Sequence, residues 1–512
     1  MLVHHFLEES AEKFPYKDAA VHLGGRINYL ELETACNRLA NYFLSAGIKP
    51  GDRIGILLES SINYIIAYFA ILKAGGVVVG LNTQSAQRNY KNILGDCEVT
   101  ALIVGKKNAH VVKGIYKDLP SLKLIVCDGT YDRIPKELET EFWLNIQLNG
   151  DPSRLTVSRT LENYAQIIYT SGTTGSPKGV TLSHGNLLAN TESIVKYLDL
   201  QPDDRVMAIL PFYYSYGNSL LLTHIYCGGC LVIDNRFAYP NVILDIMAQE
   251  RVTGFSGVPS TFAILMHKSN ILNYRFDHLR YITQAGGPMT PALTQKILEA
   301  LPHIKIFIMY GQTEASARLS YLKPARLLEK IGSIGTAIPG VQLTVKDDKG
   351  RVCKPGEVGE IVARGENIMI GYWNQPEATK TVLHKDGLHT GDLARIDEDG
   401  YLYIVSRKSD MIKSGAHRIS PKEIEEVFAE FPGLIESAVI GVPDEILGEA
   451  IIAYIVTQDG FDQKELRKHL RLNLASFKLP KDIIPVKSLP KTSSGKIKKF
   501  QMIEDYTQKE GK

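Results

Sequence analysis

Cysteine is scarce in this chain, which has six cysteines in 512 residues. So few cysteines in so long a chain exclude a small secreted fold that is stabilised by disulfide bonds. The single Cys-x-x-Cys pair, Cys227 and Cys230, has no second pair at the spacing of a metal site. We therefore expect the cysteines to be core thiols in a reducing cytoplasm.

An excess of one charge is also lacking, because 58 basic side chains face 56 acidic ones and the net charge is +2. This balance gives no chain-wide field for holding nucleic acid or an anionic membrane. Any site for an anion must therefore be local, and no nucleic-acid partner is expected.

Long apolar runs are missing as well. The most apolar stretch, "YIIAYFAILKAGGVVVGL" from Tyr64, is interrupted by Lys73 and by Gly75-Gly76 before it reaches the ~20 residues of a membrane span. It predicts a buried helix, a turn and a buried strand. The first twenty residues lack a basic region followed by an apolar run, so no export signal is expected.

Amphipathic helical segments alternate with short β-branched runs over most of the chain. Such runs include "RIGILL", "TALIVG" and "IKIFIMYG". This alternation predicts an α/β fold, with layered sheets in a large N-terminal domain. Around Gly340 short strands with polar turns predict a small β-rich subdomain within it.

A smaller second domain is predicted at the C-terminus. The polar stretch "VSRKSD" places the boundary at Ser409, which divides the chain into residues 1–408 and 409–512. Ser420, Pro421 and Glu423 have the pattern of a helix start with a capping box. The helical and strand patterns that follow predict a compact α+β domain.

The stretch "IIYTSGTTGSPKGV", from Ile167 to Val180, concentrates three glycines, five Ser/Thr hydroxyls and Lys178. Exposed N–H groups, hydroxyls and one cation are the groups that hold phosphate. A Walker A loop would need a helix at its lysine, whereas the "GVTL" after Lys178 predicts a strand and therefore a hairpin. On composition alone, a surface linker is the alternative.

Four further polar stretches follow in order: "QAGGPM", "YGQTEAS", "LHTGDLARIDEDGYLYIVSRKSD" and "PKTSSGKIKK". Together with the first loop they resemble the ANL superfamily of adenylate-forming enzymes over essentially the whole chain. That superfamily contains AMP-forming acyl-CoA synthetases, adenylation domains and firefly-type luciferases. The resemblance implies an enzyme that uses ATP and Mg²⁺ to activate a carboxylic acid.

The resemblance also implies nucleotide-binding residues. The β- and γ-phosphates of ATP would be handled by the loop residues Thr170, Ser171, Gly172, Thr173, Thr174, Gly175 and Lys178. Adenine, the α-phosphate and the ribose would be held by Gly286, Gly287, Pro288, Tyr310, Gly311, Gln312, Thr313, Asp392 and Arg407. Glu314 would bind Mg²⁺, and Asp392 would accept both ribose hydroxyls.

Lys496 is the catalytic lysine by the same resemblance, with Lys178, Thr313 and Glu314 as the other catalytic residues. A lysine ammonium that bridges the carboxylate and the α-phosphate lowers the repulsion between two anions. For the second half-reaction, the C-terminal domain would rotate about the hinge residue Ser409. Gly415 would then leave room for a pantetheine chain, and Lys413, His417 or Arg418 would lie near the rim of that channel. Which of these three contacts the thiol substrate stays open.

The acid pocket would be lined by Tyr213, Tyr214, Gly217, Val258, Gly286 and Gly311, with Thr261 and Phe262 nearby. Amino-acid-activating relatives have an Asp where this chain has Tyr213, so an α-amino acid is disfavoured because its ammonium would lack a counter-ion. An apolar aliphatic or aromatic acid is expected. The chain length of the acid and the oligomeric state stay open.

The sequence motifs are compatible with four functions. The first is an acid–CoA ligase that forms AMP. The second is a stand-alone adenylation enzyme that loads a carrier-protein phosphopantetheine. A luciferase-like activity and a non-catalytic binding role are the others, and the intact motifs argue against the last of these.

Overall fold

A computed structural model describes residues 1–129, 134–135, 137–170, 177–408, 410–414, 417–444, 447–458, 461–491 and 497–510, with the backbone alone at 418, 509 and 510. The described residues form four sheets that are flanked by helices. The α/β fold class predicted from the sequence is confirmed. The boundary at Ser409 lies outside the described residues, and the division at 408 and 409 stays a prediction.

The first sheet places several loops at one edge. Its strands, in spatial order, are Thr336–Ala337, Ser320–Leu322, Lys305–Tyr310, Tyr281–Gln284, Gly254–Gly257, Arg205–Ala208, Cys230–Ile233, Asp18–His22 and Gly25–Asn28. The four strands from Lys305–Tyr310 to Arg205–Ala208 are parallel to one another. Their carboxyl ends therefore meet at one edge, where open α/β sheets bind ligands.

The second sheet contains the predicted hairpin. Its strands, in spatial order, are Gly371–Tyr372, Lys178–Ser183, Tyr164–Thr170, Val77–Gly80, Arg53–Leu57, Ala101–Gly105, Leu124–Asp128 and Glu139–Phe142. Tyr164–Thr170 and Lys178–Ser183 are antiparallel, and Thr170 pairs with Lys178. Lys178 therefore begins a strand, which rules out a Walker A helix there and confirms the hairpin.

The helices lie on the faces of these sheets and in the C-terminal part. Their bounds are His5–Lys13, Tyr29–Ser45, Ile62–Lys73, Gln87–Asp96, Ala109–Ile115, Trp143–Asn149, His184–Leu198, Ser215–Cys227, Pro240–Gln249, Pro259–Lys268, Pro291–Ala300, Pro376–Lys380, Pro421–Ala429, Gln463–Asn473 and Lys499–Glu510. The helix Ile62–Lys73 is buried from Tyr64 onward and leads into the buried strand Val77–Gly80. The predicted buried helix, turn and strand are confirmed.

A third sheet forms the predicted β-rich subdomain. Its strands, in spatial order, are Val341–Lys346, Val358–Gly365, Gly387–Ile396 and Leu383–His384, and Leu402–Arg407 pairs with Gly387–Ile396. The fourth sheet runs through His417–Ile419, Ile412–Ser414, Gly448–Thr457 and Leu434–Asp444, with Asp482–Pro485 on Gly448–Thr457. Both faces of this sheet are apolar: one packs on the helices Pro421–Ala429 and Gln463–Asn473 and the other on the helix Lys499–Glu510.

The helix Pro421–Ala429 begins where the sequence predicts, but without the capping box. Ser420 makes no side-chain cap, and its hydroxyl donates to the carbonyl oxygen of Val405 at 2.6 Å. Lys422 donates from Nζ to the carbonyl oxygen of Ile404 at 2.7 Å. The capping-box prediction was wrong because Ser420 bonds to the strand Leu402–Arg407 rather than to its own helix.

Candidate active site

Asp392 is the buried centre of a polar assembly that also contains the half-buried Tyr310 and the exposed Arg407. The pairing of the strands Gly387–Ile396 and Leu402–Arg407 puts Arg407 opposite Asp392. Arg407 donates from Nε to Asp392 Oδ1 at 3.0 Å, and Tyr310, at the end of Lys305–Tyr310, donates to Asp392 Oδ2 at 2.6 Å. Asp392 is 5% exposed. Three separate strands thus fix one carboxylate.

The charge states of this assembly follow from its contacts. The nearby Asp392 carboxylate raises the pKa of Arg407, and burial together with Asp392 raises the pKa of Tyr310. Tyr310 is therefore a neutral donor and Arg407 a cation. Each carboxylate oxygen of Asp392 still has a lone pair for a second donor. A fixed carboxylate of this kind suits a pair of vicinal hydroxyls, which is the predicted ribose role.

Glu314 and Lys178 are linked through Tyr372, a residue that the sequence did not single out. Tyr372 donates from its hydroxyl to Glu314 Oε1 at 2.9 Å. The ammonium of Lys178 lies 5.0 Å from the centre of the Tyr372 ring. Burial raises the pKa of Tyr372, so it remains a phenol that donates. The predicted metal ligand and the predicted phosphate-binding lysine therefore both contact Tyr372.

Thr313 faces Ser215, at the start of the helix Ser215–Cys227. Their hydroxyl oxygens are 3.3 Å apart. The preceding Gly311 is a glycine for a steric reason, because a Cβ there would lie 2.0 Å from the carbonyl oxygen of Ala317. The chain therefore folds back closely after Tyr310, which brings Thr313 and Glu314 to the edge of the first sheet.

The "QAGGP" turn follows the neighbouring strand Tyr281–Gln284. Gly286 has φ +89°, a conformation that favours glycine. Gln284 donates from Nε2 to the carbonyl oxygen of Gly287 at 2.7 Å and so holds the turn. A Cβ on Gly286 would lie 3.2 Å from a methyl of Val258. Gly286, Gly287 and Val258 are therefore neighbours, as a shared pocket wall requires.

Tyr213 and Tyr214 contact each other and share a polar partner that the sequence did not indicate. Their ring centres are 4.7 Å apart. Tyr213 donates to Asn82 Oδ1 at 3.1 Å, and Asn82 donates from Nδ2 to the hydroxyl of Tyr214 at 3.4 Å. Gly217 is a glycine because a Cβ would lie 2.1 Å from the carbonyl oxygen of Pro211. Close packing therefore accounts for Gly217 whichever ligand its neighbours contact.

Several predicted site residues lie outside the described residues. They are Ser171, Gly172, Thr173, Thr174, Gly175, Ser409, Gly415 and Lys496. Among the residues predicted at the thiol rim, the ring of His417 stacks on Phe477 with centres 4.0 Å apart, and the backbone N–H of Lys413 donates to Glu449. Arg418 is described by its backbone alone. Which of Lys413, His417 and Arg418 contacts the thiol substrate stays open.

Within the described ranges, no group of three or more His, Cys, Asp or Glu side chains is arranged to hold a metal ion. Glu314 stays the predicted magnesium ligand, and Mg²⁺ in sites for nucleoside triphosphates is typically bound by one or two carboxylates together with phosphates and water. No described helix is both long enough and apolar enough to cross a membrane.

Comparison with known proteins gives the family. Residues 7–373 match the AMP-binding enzyme family, and residues 423–496 match the AMP-binding enzyme C-terminal domain. The chain belongs to the AMP-binding enzyme family. The resemblance found in the sequence motifs is thereby confirmed, and this AMP-binding enzyme is a ligase of the acyl-CoA synthetase type.

Similar proteins match this AMP-binding enzyme over nearly its full length. A feruloyl-CoA synthase of Amycolatopsis sp is 34% identical over 96% of each chain. A long-chain-fatty-acid–CoA ligase of Bacillus subtilis (strain 168) is 31% identical over 98% of this chain and 94% of its own. The crystal structure of an anthranilate CoA ligase in complex with anthranoyl-AMP superposes with a TM-score of 0.91 at 26% identity, over 99% of this chain and 97% of that one.

Proposed function

We propose that this enzyme activates a carboxylic acid in two steps, with ATP, Mg²⁺ and CoA. In the first step a carboxylate oxygen attacks the α-phosphorus of ATP and pyrophosphate leaves, which gives an acyl-adenylate. In the second step the thiol of CoA loses its proton, its sulfur attacks the acyl carbon and AMP leaves. The fixed carboxylate of Asp392, held by Tyr310 and Arg407, is the observation that carries this proposal.

We infer that the first step depends on charge placed by this chain. Lys178 would face the β- and γ-phosphates and offset the charge that builds on the leaving pyrophosphate. Glu314 would hold the magnesium ion, which supplies charge neutralisation at the phosphate oxygens. Lys496 would bridge the incoming carboxylate and the α-phosphate. Transition-state donors of this kind contribute roughly 3–4 kcal/mol, or about 10²–10³ in rate.

The second step needs space for a thiol where Lys496 stood. We infer that the C-terminal domain rotates about Ser409 and brings Gly415 to the site. Ser420 and Lys422 support a hinge there, because both side chains bond to the backbone of the strand that ends at Arg407. These two hydrogen bonds lie at the predicted junction and would have to change when the domain rotates.

The acceptor of the acyl group has two candidates. Free CoA is favoured by the relatives that are named CoA ligases. The alternative is the phosphopantetheine of a carrier protein, which uses the same thiol chemistry. Thioester formation with CoA and with a loaded carrier protein separates them, since saturation by CoA at micromolar concentration supports the first and thioester formation with the carrier alone supports the second.

The acid is proposed by class. The relatives named here act on ferulate and on long-chain fatty acids, both of which are largely apolar acids. The test is pyrophosphate release from Mg²⁺-ATP across aliphatic, aromatic and amino acids, each with and without CoA. Release that depends on an apolar acid and rises with CoA supports the proposal. Equal release without any acid contradicts it.

A further inference from the structure

Arg318 is a buried cation for which the described part of the chain offers no carboxylate. It lies four residues after Glu314 and is 3% exposed. Within the described residues, no ion pair within 4.0 Å includes Arg318. An arginine cannot lose its proton in a protein. Buried charges are normally paired, so this one requires an explanation.

The contacts of the guanidinium are neutral. Nη1 donates to the carbonyl oxygen of Ala317 at 3.1 Å, and Nη2 donates weakly to Ser219 Oγ at 3.5 Å. The guanidinium carbon lies 4.1 Å from the centre of the Tyr216 ring, which is a cation–π contact. Nε is buried and has no hydrogen-bond partner. The guanidinium therefore keeps both an unused donor and an uncompensated charge.

The neighbouring tyrosines do not supply the missing negative charge. Burial raises the pKa of Tyr197 and the pKa of Tyr216, although the charge of Arg318 acts in the opposite direction. Both side chains are therefore neutral phenols at ordinary pH. The hydroxyl of Tyr216 is engaged by Thr283, with the two side-chain oxygens 2.8 Å apart. Among the described residues, no side chain supplies a negative charge to Arg318, so an anion that compensates it would be part of a ligand.

The position of Arg318 places it beside the proposed acid pocket. A Cβ on Gly311, a predicted pocket residue, would lie 2.7 Å from the Cα of Arg318. Tyr216, on which Arg318 stacks, lies two residues after Tyr214 and next to Ser215, which contacts Thr313. Thr283, which contacts Tyr216, immediately precedes the "QAGGP" turn. Arg318 thus belongs to the same edge of the first sheet as the predicted ligands.

Tyr216 differs from Arg318 in exposure. The arginine is buried, whereas the ring that covers it is only half-buried. Tyr216 is the second residue of the helix Ser215–Cys227 and is a partly buried residue that packs against the core. The ring of Tyr216 therefore separates the buried guanidinium from the less buried side of the helix start, where Tyr214 and Ser215 lie.

We propose that Arg318 determines substrate specificity by pairing with a second carboxylate, at the far end of the acid that the enzyme activates. This inference rests on the proposed function. The first carboxylate is activated at the α-phosphate, and the second compensates the buried guanidinium through charge-assisted hydrogen bonds. The preferred substrate is then a dicarboxylic acid with an apolar middle, which fits the apolar pocket wall around Val258.

The test compares matched acids in the full-length enzyme. The pairs are hexanoate with adipate, octanoate with suberate, and phenylacetate with 4-carboxyphenylacetate, and the readout is pyrophosphate release. A site that is built to bind a polar group rejects the analogue without it, so we expect kcat/KM for the best diacid to exceed that of its partner by roughly 10²-fold or more. A preference for the monocarboxylate in every pair would overturn the proposal.

Two variants test Arg318 itself. In Arg318→Met, kcat/KM for the diacid should fall by roughly 10²-fold, mostly through KM, while the monocarboxylate stays within about threefold. Arg318→Lys should keep part of the preference, because it keeps the charge without the planar fork. Arg395→Met is the control, since Arg395 is exposed and lies 5.3 Å from the ring of Tyr403. Equal loss for both acids in Arg318→Met overturns the proposal.

The failure of this inference is distinguishable from the failure of the proposed function. Pyrophosphate release with monocarboxylates, without a diacid preference, rejects the role of Arg318 and leaves acid activation intact. If none of the six acids supports release while another acid of the aliphatic and aromatic panel does, the role of Arg318 is rejected and acid activation stands. If no acid of either set supports release, both are rejected. If Arg318→Met does not fold, the ratio of kcat/KM between diacid and monocarboxylate in the unmodified enzyme and in Arg318→Lys still tests the role of Arg318.

Discussion

Tyr372 donates a hydrogen bond of 2.9 Å to Glu314, and the two residues are 58 positions apart in the chain. Tyr372 reaches Glu314 because the strand Gly371–Tyr372 pairs with Lys178–Ser183, beside the predicted phosphate loop. One ring therefore connects the strand that begins at Lys178 to the turn that carries Glu314. The proposed metal ligand and the proposed phosphate ligand are oriented together.

Replacement of Tyr372 by Phe should weaken the use of magnesium. The variant keeps the ring under Lys178 but loses the donor to Glu314, so the carboxylate is less well oriented. We expect acid-dependent ATP–pyrophosphate exchange to fall about tenfold at limiting Mg²⁺ and to recover partly at high Mg²⁺. Tyr239→Phe is the control, because Tyr239 is 68% exposed. Equal Mg²⁺ dependence in both variants would contradict this role of Tyr372.

Replacement of Asp392 by Asn should remove discrimination between ATP and its deoxy analogues. An amide has one acceptor oxygen where the carboxylate has two, and it does not compensate Arg407. We expect KM for ATP to rise about 10–100-fold, while KM for 2′-deoxy-ATP rises much less. The measurement is pyrophosphate release with each nucleotide. If Asp392→Asn raises KM for both nucleotides by the same factor, Asp392 does not bind the ribose.

Replacement of Lys496 by Ala should separate the two half-reactions. The lysine is proposed to act in adenylate formation alone, so that step should slow by about 10²–10³. Thioester formation from a presynthesised acyl-adenylate and CoA should change little. The matched control is Lys498→Ala, because Lys498 is an exposed lysine two positions away. Equal loss in both half-reactions would reject domain rotation about Ser409.

The stability of the fold should fall as the pH drops below about 6.5. Burial lowers the pKa of His4 to about 2 and the pKa of His184 to about 3, from an ordinary value of 6.5. Below pH 6.5 these two histidines therefore bind protons in the unfolded chain but not in the folded chain. Each histidine should reduce the free energy of unfolding by about 1.4 kcal/mol per pH unit in the window from 6.5 down to its folded pKa.

Urea unfolding at neutral pH and at about pH 5.5 measures this effect. His4→Leu should show a smaller loss between the two pH values than the unmodified chain, because one of the buried histidines is gone. His110→Leu is the control, since His110 is exposed and should leave the pH dependence unchanged. A His4→Leu variant with the full pH dependence would show that His4 does not contribute to it.

Motifs with several polar residues in sequence were predictable, because a phosphate or a ribose needs donors and acceptors that packing does not explain. The hairpin at Thr170 and Lys178 was predicted from the strand pattern after Lys178 and is confirmed. Asp392 was likewise predicted as a site residue, and the structure joins it to Tyr310 and Arg407. Its role toward ribose stays a prediction.

Tyr372, Ser215, Asn82 and Arg318 were missed because each acts through a partner that is distant in sequence. Tyr372 meets Glu314 through strand pairing, and Arg318 meets Tyr216, which lies in the helix Ser215–Cys227. A lone tyrosine or arginine has no pattern that reveals such a partner. The capping box at Ser420 failed for the opposite reason, because a local pattern was overridden by a hydrogen bond to Val405.

The most direct test of acid activation follows the oxygen atoms. The acid is labelled with heavy oxygen in its carboxylate and turned over with unlabelled ATP and CoA. If an acyl-adenylate forms, a carboxylate oxygen stays on the α-phosphate when the thiol displaces AMP, so each AMP should carry one heavy oxygen. Unlabelled AMP, or formation of ADP and phosphate in its place, would contradict the account.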